Sequence, residues 1–204
     1  WISLAYQAQK TLEEDIIYLA SLAHKKTGVK KICFAGGVAL NCIINKKLIE
    51  SEIFNDVFIQ PAASDEGIAL GCALFGYYSN GGRARYQMYD AYLGLKNKPE
   101  TLPKVIKKWK LEATKTSPDE IALLLADGKI IGRIANRSEY GPRALGNRSI
   151  LTDPRPSTMK DRLNKEIKHR ESFRPFAPSC LENKIPNYFK SPAKSPFMVI
   201  AGTV

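Results

Sequence analysis

Arginines alternate with turn-forming residues in the stretch RSEYGPRALGNRSILTDPR, which spans residues 137–155. A Gly-Pro pair fixes a turn before Arg143, and Gly146 allows a second turn before Arg148. The planar guanidinium group is a two-pronged donor for carboxylates and phosphates. A solvated basic surface favours lysines on a regular helix, whereas this stretch has the period of neither a helix nor a strand. The pattern therefore predicts a shaped anion site rather than a loose basic surface.

A second basic segment, KHRESFRPFAP, occupies residues 168–178 and contributes Lys168, Arg170 and Arg174. Lys168 and Arg170 are two positions apart, so they cannot share one helical face. They can approach one point only if the preceding helix ends here, and the sequence ESFRPF favours such an ending. We expect four cations of the two segments to converge on one pocket for phosphate groups. These four are Arg143, Arg148, Lys168 and Arg170.

Two glycines separate a strand-like run from a helix-like run in the sequence CFAGGVALNC, residues 33–42. Gly36 and Gly37 allow a tight turn, and the free backbone N–H groups at the helix start can then face a ligand. Asn41 would lie on the first helical turn, where its side chain could hydrogen-bond that ligand. A tight turn without any ligand explains the residues equally well, and the residues alone favour it.

A second turn of this kind occurs in QPAASDEGIALGCAL, residues 60–74, where Asp65 and Glu66 precede an apolar helix. Acidic residues at a helix start often do no more than complement the helix dipole. The alternative is a carboxylate that binds a metal or another ligand at the end of a strand. The residues alone favour the first interpretation.

Strands alternate with helices in the first half of the chain, which predicts an α/β layer structure. In such folds ligands bind where strand ends meet helix starts, which is where both turns lie. A Gly-containing connector near residue 95 precedes a second, α+β part. The helices expected in that part are residues 102–110, 117–128 and 157–172, and the expected strands are 129–136 and the strand-like 174–183.

The net charge of +11 is confined to the second half of the 204-residue chain. Residues 1–95 carry 9 Lys and Arg and 9 Asp and Glu, whereas residues 96–204 carry 22 and 11. The basic half should therefore meet an anion, either the phosphates of a small ligand or a nucleic acid. The charge step also predicts two domains, residues 1–95 and residues 96–204.

Other classes of protein are disfavoured by composition. No apolar run is long enough to span a membrane, and we expect no membrane partner. Four cysteines without a CxxC motif and only two histidines make a zinc site improbable and indicate a reducing, cytoplasmic setting. The chain begins without Met inside a helical pattern, so we expect a piece of a longer protein.

Four motifs together resemble the O-carbamoyltransferases of the nodulation and antibiotic-tailoring type. They are AGGVALNC, QPAASDEGIALGCAL, EYGPRALGNRSILTDPR and LNKEIKHRESFRPFAP, and the resemblance extends over nearly all of residues 1–190. It implies that residues 1–95 are the C-terminal part of a Kae1-like domain with the ASKHA (actin-like ATPase) fold. It implies that residues 96–204 are the start of a YrdC-like domain.

The resemblance implies a two-step reaction. Carbamoyl phosphate and ATP form carbamoyl-adenylate in the YrdC-like part. The Kae1-like part then transfers the carbamoyl group to a hydroxyl of a small-molecule acceptor at a mononuclear metal, usually iron. As an internal piece, the chain should be inactive alone. The acceptor and the oligomeric state stay open.

The residues of the motifs acquire roles from the same resemblance. Asp65 corresponds to an aspartate metal ligand, and the histidine ligands of that metal lie upstream, outside this chain. The remaining roles concern ATP and carbamoyl phosphate. The residues implied in binding them are Gly36, Gly37 and Asn41 in the first part and Arg143, Asn147, Arg148, Ser149, Lys168, Arg170 and Arg174 in the second.

Three other functions stay open at this stage. An RNA-binding protein would suit the net charge, but few aromatic residues suited to base stacking lie among the arginines, so nucleic acid is a disfavoured partner. Threonylcarbamoylation of tRNA is the sister chemistry. The third alternative is a structural or interaction fragment without catalytic activity.

Overall fold

The computed structural model describes residues 1–190 and 194–204. The chain divides into two compact units, each with most of its residue contacts internal. The first unit contains Trp1–Ala91, Tyr140–Arg143 and Cys180–Val204, and the second contains Tyr92–Glu139 and Ala144–Ser179. No helix among the described residues is long and apolar enough to cross a membrane.

The first unit is built around a parallel pair of strands. The long helix α1 (Ile2–Thr27) ends at Gly28, whose φ of 67° terminates the helix in the left-handed region. Strand β1 (Lys31–Phe34), helix α2 (Cys42–Glu50), strand β2 (Asp56–Ile59) and helix α3 (Ile68–Ser79) follow. Strands β1 and β2 pair in register from Lys31↔Asp56 to Phe34↔Ile59. Their carboxyl ends therefore meet at one edge, as the α/β pattern predicts.

Two apolar clusters hold this unit together. Leu48 of α2 packs with Ala20 of α1 and with Phe54. Ala39 and Ile59 form the second cluster. The Leu48 cluster packs against Ile32 of β1 and Val57 of β2, and the second cluster includes Ala39 and Ala63 of the loops that follow the strands.

The C-terminal segment packs with the first unit. Val199 is buried in the same cluster as Ile59. The side-chain amide of Asn45 is fully buried and donates to the carbonyls of Ala39 and Val199, both at 2.7 Å. The N–H of Ala201 donates to the Cys42 carbonyl at 3.1 Å. This division differs from the predicted boundary, which assigned all of residues 96–204 to the second domain, because the last residues complete the core of the first.

The second unit contains an antiparallel pair of strands and short helices. Helix α4 (Leu102–Trp109) precedes α5 (Pro118–Ala126), whose first turn is closed by a capping box of Ser117 and Glu120. Strand β3 (Ile131–Ile134) pairs with β4 (Arg148–Leu151). Helix α6 (Met159–Arg162) continues as a π-helix over Leu163–Lys168. A last short helix, α7 (Ile185–Tyr188), lies in the C-terminal segment of the first unit.

Two expectations about strands were wrong. The Arg-rich stretch contains strand β4, although its sequence lacks the alternation of a strand. The strand-like RPFAPSCLEN forms no strand, because Pro175 and Pro178 lack the N–H that a ladder requires. The helix expected over residues 157–172 ends earlier, since the π-helix stops at Lys168 and His169 adopts a left-handed φ of 47°. This is the ending that an approach of Lys168 and Arg170 to one point requires. The assignment of the two parts to the ASKHA and YrdC-like folds stays a prediction.

Candidate functional site

The loops that follow β1 and β2 meet at the carboxyl edge of the parallel pair. The N–H of Gly36 donates to the Ala63 carbonyl at 2.7 Å, which joins one loop to the other. Gly36 has a φ of 101°, a conformation that side chains rarely permit. Gly36 and Gly37 are both exposed, so their backbone is open to a ligand. This is the arrangement that the two glycines predict, although the role of the glycines in binding stays a prediction.

Asn41 has a structural task in this loop. Its side-chain oxygen accepts from the N–H groups of Ile43 at 3.2 Å and Ile44 at 3.3 Å, which caps α2. Its amide nitrogen donates to the Gln9 side chain of α1 at 2.8 Å. The cap fixes the direction in which α2 leaves the turn. A contact of Asn41 with a nucleotide stays a prediction, and the side chain already has these partners.

Asp65 lies in the other loop, at the start of a short 3₁₀ helix, Asp65–Gly67. Its carboxylate is exposed. Among residues 1–190 and 194–204 no group of three or more His, Cys, Asp or Glu side chains could hold a metal ion. A single carboxylate rarely retains a transition metal. The described residues therefore supply no set of three or more such ligands for a metal centre.

The segment Tyr140–Arg143 of the Arg-rich stretch packs against these loops of the first unit. The N–H of Tyr140 donates to the Ala91 carbonyl at 2.6 Å, and its hydroxyl donates to the Glu66 carbonyl. Arg143 donates through Nη2 to the Leu40 carbonyl at 3.4 Å. One end of the segment is thus held at the loop after β2, and the other end lies at the loop after β1.

The rest of the stretch folds around one buried carboxylate in the second unit. Glu139 is 6% exposed. Its Oε1 accepts from the N–H groups of Leu145 at 2.9 Å, Asn147 at 2.7 Å and Arg148 at 3.1 Å. Its Oε2 lies 3.8 Å from Nε of Arg148. One carboxylate therefore holds both the backbone of the loop and the arginine at its end.

Burial acts to raise the pKa of Glu139, because it disfavours the charged form. The backbone N–H donors, among them those of Leu145, Arg148 and Asn147, act in the opposite direction and prevail. The pKa of Glu139 consequently lies below its ordinary value. Glu139 is charged at neutral pH, and its negative charge strengthens the hydrogen bonds that order the loop.

Several arginines of the region have acceptors within the second unit. Arg133 donates to the Gly146 carbonyl. Arg137 donates to the carbonyls of two residues, Leu93 and Gly94. Arg155 forms a two-pronged pair with the buried carboxylate of Asp153, at 2.7–2.9 Å, and the Arg155 guanidinium lowers the pKa of that carboxyl.

Asn147 and Ser149 also support the loop. The Asn147 amide donates to the Arg137 carbonyl at 2.8 Å, and the Ser149 hydroxyl accepts from the Gly146 N–H at 2.9 Å. Arg148, by contrast, begins β4 with 60% of its side chain exposed. Its guanidinium is therefore both anchored by Glu139 and open to solvent.

The helix that precedes the second basic segment brings Arg170 into a rigid setting. Arg170 donates to the Asn164 side chain at 2.7 Å and to the Pro175 carbonyl at 3.1 Å. Its guanidinium carbon lies 4.6 Å from the centre of the Phe176 ring, a cation–π contact. Lys168 is exposed at the last helical position, and Arg174 is exposed 4.0 Å from Glu171.

The four cations predicted to converge do not all belong to one unit. Arg143 belongs to the first unit, and Arg148, Lys168 and Arg170 belong to the second. Sequence reasoning missed the supporting residues, above all Glu139, Tyr140 and Asn164. The sequence did contain one indication of the role of Glu139, because it is the only acidic residue between Arg137 and Asp153.

Comparisons with known proteins agree on one family. Residues 3–74 match the family described as "Carbamoyltransferase N-terminus", and residues 122–204 match "Carbamoyltransferase C-terminus". Nodulation protein NolO of Bradyrhizobium diazoefficiens is 44% identical over 200 residues, which cover 93% of this chain and 36% of that protein. Nodulation protein NolNO of Sinorhizobium fredii is 42% identical over 204 residues, which cover 96% of this chain and 30% of the relative.

Nodulation protein U of Sinorhizobium fredii is a further relative, 38% identical over 176 residues that cover 86% of this chain and 30% of that protein. The chain thus spans about a third of the length of the curated relatives it matches. Both family matches occur in the family's own order, and the relatives align across both units. The chain belongs to the carbamoyltransferase family.

Proposed function

We propose that this chain forms part of an O-carbamoyltransferase with two steps. The second unit forms carbamoyl-adenylate from carbamoyl phosphate and ATP, and the first unit transfers the carbamoyl group to a hydroxyl of a small-molecule acceptor. Membership of the family supports carbamoyl transfer. The assignment of the two steps rests on the resemblance of the motifs and on the chemistry of the two units.

The observation that carries this proposal is the loop around Glu139. A buried carboxylate accepts from three backbone N–H groups of one loop and anchors Arg148, yet leaves most of the Arg148 side chain exposed. A guanidinium fixed before the ligand arrives can offset phosphate charge without reorganising. The unit that contains it has 18 Lys and Arg against 10 Asp and Glu, which suits a polyanionic substrate.

The adenylate-forming step balances with one water molecule. Carbamoyl phosphate and water give carbamate and phosphate. A carbamate oxygen then attacks the α-phosphorus of ATP, a new P–O bond forms, and the bond to the pyrophosphate leaving group breaks. Negative charge accumulates on the pyrophosphate oxygens, and positioned cations are the main resource for stabilising such a transition state.

Three cations of the second unit can serve this step. Arg148 and Lys168 are exposed, and Arg170 is held rigidly by Asn164 and Phe176. The same two basic segments also contain Asn147, Ser149 and Arg174. We propose these residues as further contacts for the nucleotide or carbamoyl phosphate.

In the first unit, the open backbone at Gly36 and Gly37 is proposed to contact the adenylate. Asp65 is proposed as one ligand of a divalent metal, with iron the favoured ion and histidine ligands outside this chain. Such a metal polarises a carbonyl oxygen as a Lewis acid. Because the described residues contain no group of three or more such ligands, no step is assigned to the metal.

The test is Arg148→Ala in the full-length gene product that carries this chain. Loss of one charge-assisted contact of about 1.5–3 kcal/mol should slow carbamoyl-adenylate formation roughly tenfold to hundredfold. Pyrophosphate release measures that step. Lys160→Ala is the matched control, because Lys160 is an exposed cation of the same unit whose ion-pair partner is the neighbouring Asp161.

Transfer from carbamoyl-adenylate supplied ready-made should survive in Arg148→Ala, since that step is assigned to the first unit. If transfer collapses while pyrophosphate release is unchanged, Arg148 has been assigned to the wrong step. If Arg148→Ala and Lys160→Ala behave alike in both assays, the basic loop is a solvated surface and the proposal is wrong.

A further inference from the structure

Arg143 has a setting unlike that of the other arginines of the stretch. The backbone on either side of Tyr140–Arg143 belongs to the second unit, whereas these four residues belong to the first. Arg143 therefore lies among the loops after β1 and β2 and not among the residues that Glu139 organises. The sequence offered no reason to separate Arg143 from Arg148, because both follow a turn in one continuous motif.

The guanidinium of Arg143 is only partly satisfied by the first unit. Nη2 donates to the Leu40 carbonyl at 3.4 Å, a long hydrogen bond. Nε is buried and has no acceptor among the residues that the structure describes. A buried charged donor without a partner is costly, so its retention points to an acceptor supplied by a ligand.

The short segment is fastened on both sides of this arginine. Tyr140 is fixed by two hydrogen bonds to the first unit. Gly141 has a φ of 102°, and a side chain there would place its Cβ 3.1 Å from the Pro61 carbonyl. The loop after β2 therefore fits tightly against Gly141. Arg143, two residues later, places its guanidinium at the loop after β1. Carboxyl ends of parallel strands are where α/β units bind ligands.

We propose that Arg143 acts in the carbamoyl-transfer step, as the cation that receives the phosphate of the adenylate in the first unit. This inference rests on the proposed function and reassigns Arg143 from the adenylate-forming pocket. In transfer, the acceptor oxygen attacks the carbamoyl carbon and forms a new C–O bond. The bond from that carbon to the phosphate oxygen breaks, AMP leaves with the electron pair, and the hydroxyl proton passes to water.

The role follows from where charge appears. The phosphate of carbamoyl-adenylate carries one negative charge, and the departing AMP gains a second on the oxygen that leaves. A guanidinium with a free Nε–H beside that oxygen stabilises the product of bond cleavage more than the ground state. Arg143 should therefore affect the rate of transfer more strongly than the binding of the acceptor.

The experiment compares Arg143→Gln with Arg85→Gln. Arg85 is an exposed arginine of the same unit that stacks on Tyr78, so its replacement removes an equal charge away from the loops. In the full-length gene product, Arg143→Gln should slow transfer from ready-made carbamoyl-adenylate about tenfold to hundredfold. Pyrophosphate release and the KM for the acceptor should stay unchanged, and Arg85→Gln should change neither step.

An NMR titration of the chain with AMP separates this role from a structural one. AMP should shift the amide signals of residues 36–41 and 62–66, and Arg143→Gln should weaken that response while the remaining spectrum stays that of the folded chain. Arg143→Lys keeps the charge but lacks the planar, two-pronged guanidinium donor. Its transfer rate should therefore lie between those of Arg143→Gln and the unaltered enzyme.

Each outcome decides the inference. If Arg143→Gln abolishes pyrophosphate release and spares transfer, Arg143 belongs to the adenylate-forming pocket and the inference is overturned while the proposed function stands. If Arg143→Gln matches Arg85→Gln in transfer, or AMP shifts no signal in either loop, the inference is also overturned. If the unaltered enzyme neither releases pyrophosphate nor transfers a carbamoyl group, the proposed function itself fails.

Discussion

Replacing Glu139 by glutamine tests whether one buried carboxylate organises the Arg-rich loop. The change keeps the shape of the side chain and one acceptor oxygen, so the N–H groups of Leu145, Asn147 and Arg148 keep a partner. It removes the charge, and it turns an NH₂ group toward the Arg148 guanidinium, where Oε2 now lies 3.8 Å from Nε. Charge, rather than shape, is therefore the quantity that changes.

The expected magnitude follows from the three hydrogen bonds. A bond to a charged acceptor contributes about 1.5–3 kcal/mol and a neutral bond about 0.5–1.5 kcal/mol. Three bonds weakened by about 1 kcal/mol each amount to about 3 kcal/mol, and a neutral amide is less costly to bury than a carboxylate. We expect Glu139→Gln to lower the free energy of unfolding by about 2 kcal/mol at neutral pH.

The dependence on pH distinguishes this cause from a packing defect. Because the pKa of Glu139 is below its ordinary value of 4.5 in the folded chain, its stabilisation is complete above that value. It is lost as the pH falls through the folded-state pKa. The difference between the unaltered chain and Glu139→Gln should therefore shrink as the solution is acidified below pH 4.5.

Urea titrations at neutral and acidic pH measure this difference, and hydrogen exchange reports on the amides of Leu145, Asn147 and Arg148. Those amides should exchange faster in Glu139→Gln. Glu112→Gln, an exposed glutamate of the same unit, is the matched control. A difference that stays constant with pH, or unchanged exchange at the three amides, refutes the reasoning.

Three further substitutions test how the first unit is held. Asn41→Ala removes the cap of α2 and should cost about 1 kcal/mol in urea titrations, whereas an equal loss in Asn41→Ser would contradict the cap as the cause. Asn45→Leu leaves the carbonyls of Ala39 and Val199 without their donor and should cost about 2–4 kcal/mol; resistance of residues 194–204 to proteolysis in that variant would contradict it. Gly141→Ala should cost about 1–3 kcal/mol, and an unchanged Tm would show that the tight approach to Pro61 relaxes freely.

The regular elements of the first half were predictable because local rules decide them. The strand–turn–helix order around Gly36 and the helix after Asp65 follow from apolar periodicity and from the conformational freedom of glycine. An ending of the helix near Lys168 was favoured by the run ESFRPF that follows, although the sequence analysis extended the helix to residue 172.

Long-range contacts decided what the sequence could not show. Nothing local distinguishes Val199 from any other apolar residue near the end, yet Asn45 and the first core retain it. Strand β4 forms because β3 pairs with it, not because its own residues alternate. Proline kept residues 174–183 out of a strand, and their carbonyls instead accept from Asn164 and Arg170.

The charge of the Arg-rich stretch overstates the number of cations available to a ligand. Three arginines in or next to the stretch have acceptors inside the second unit, since Arg133 and Arg137 donate to carbonyls and Arg155 is paired with Asp153. A guanidinium that donates to its own unit is held in place by that contact, and fewer of its five N–H donors are left for a substrate. Arg148 is exposed at the end of that loop, and Arg143 keeps a buried Nε–H without an acceptor among the described residues. The proposed two-step reaction develops charge on a different leaving group in each step, and we propose Arg148 of the second unit and Arg143 of the first as the cations of those two steps.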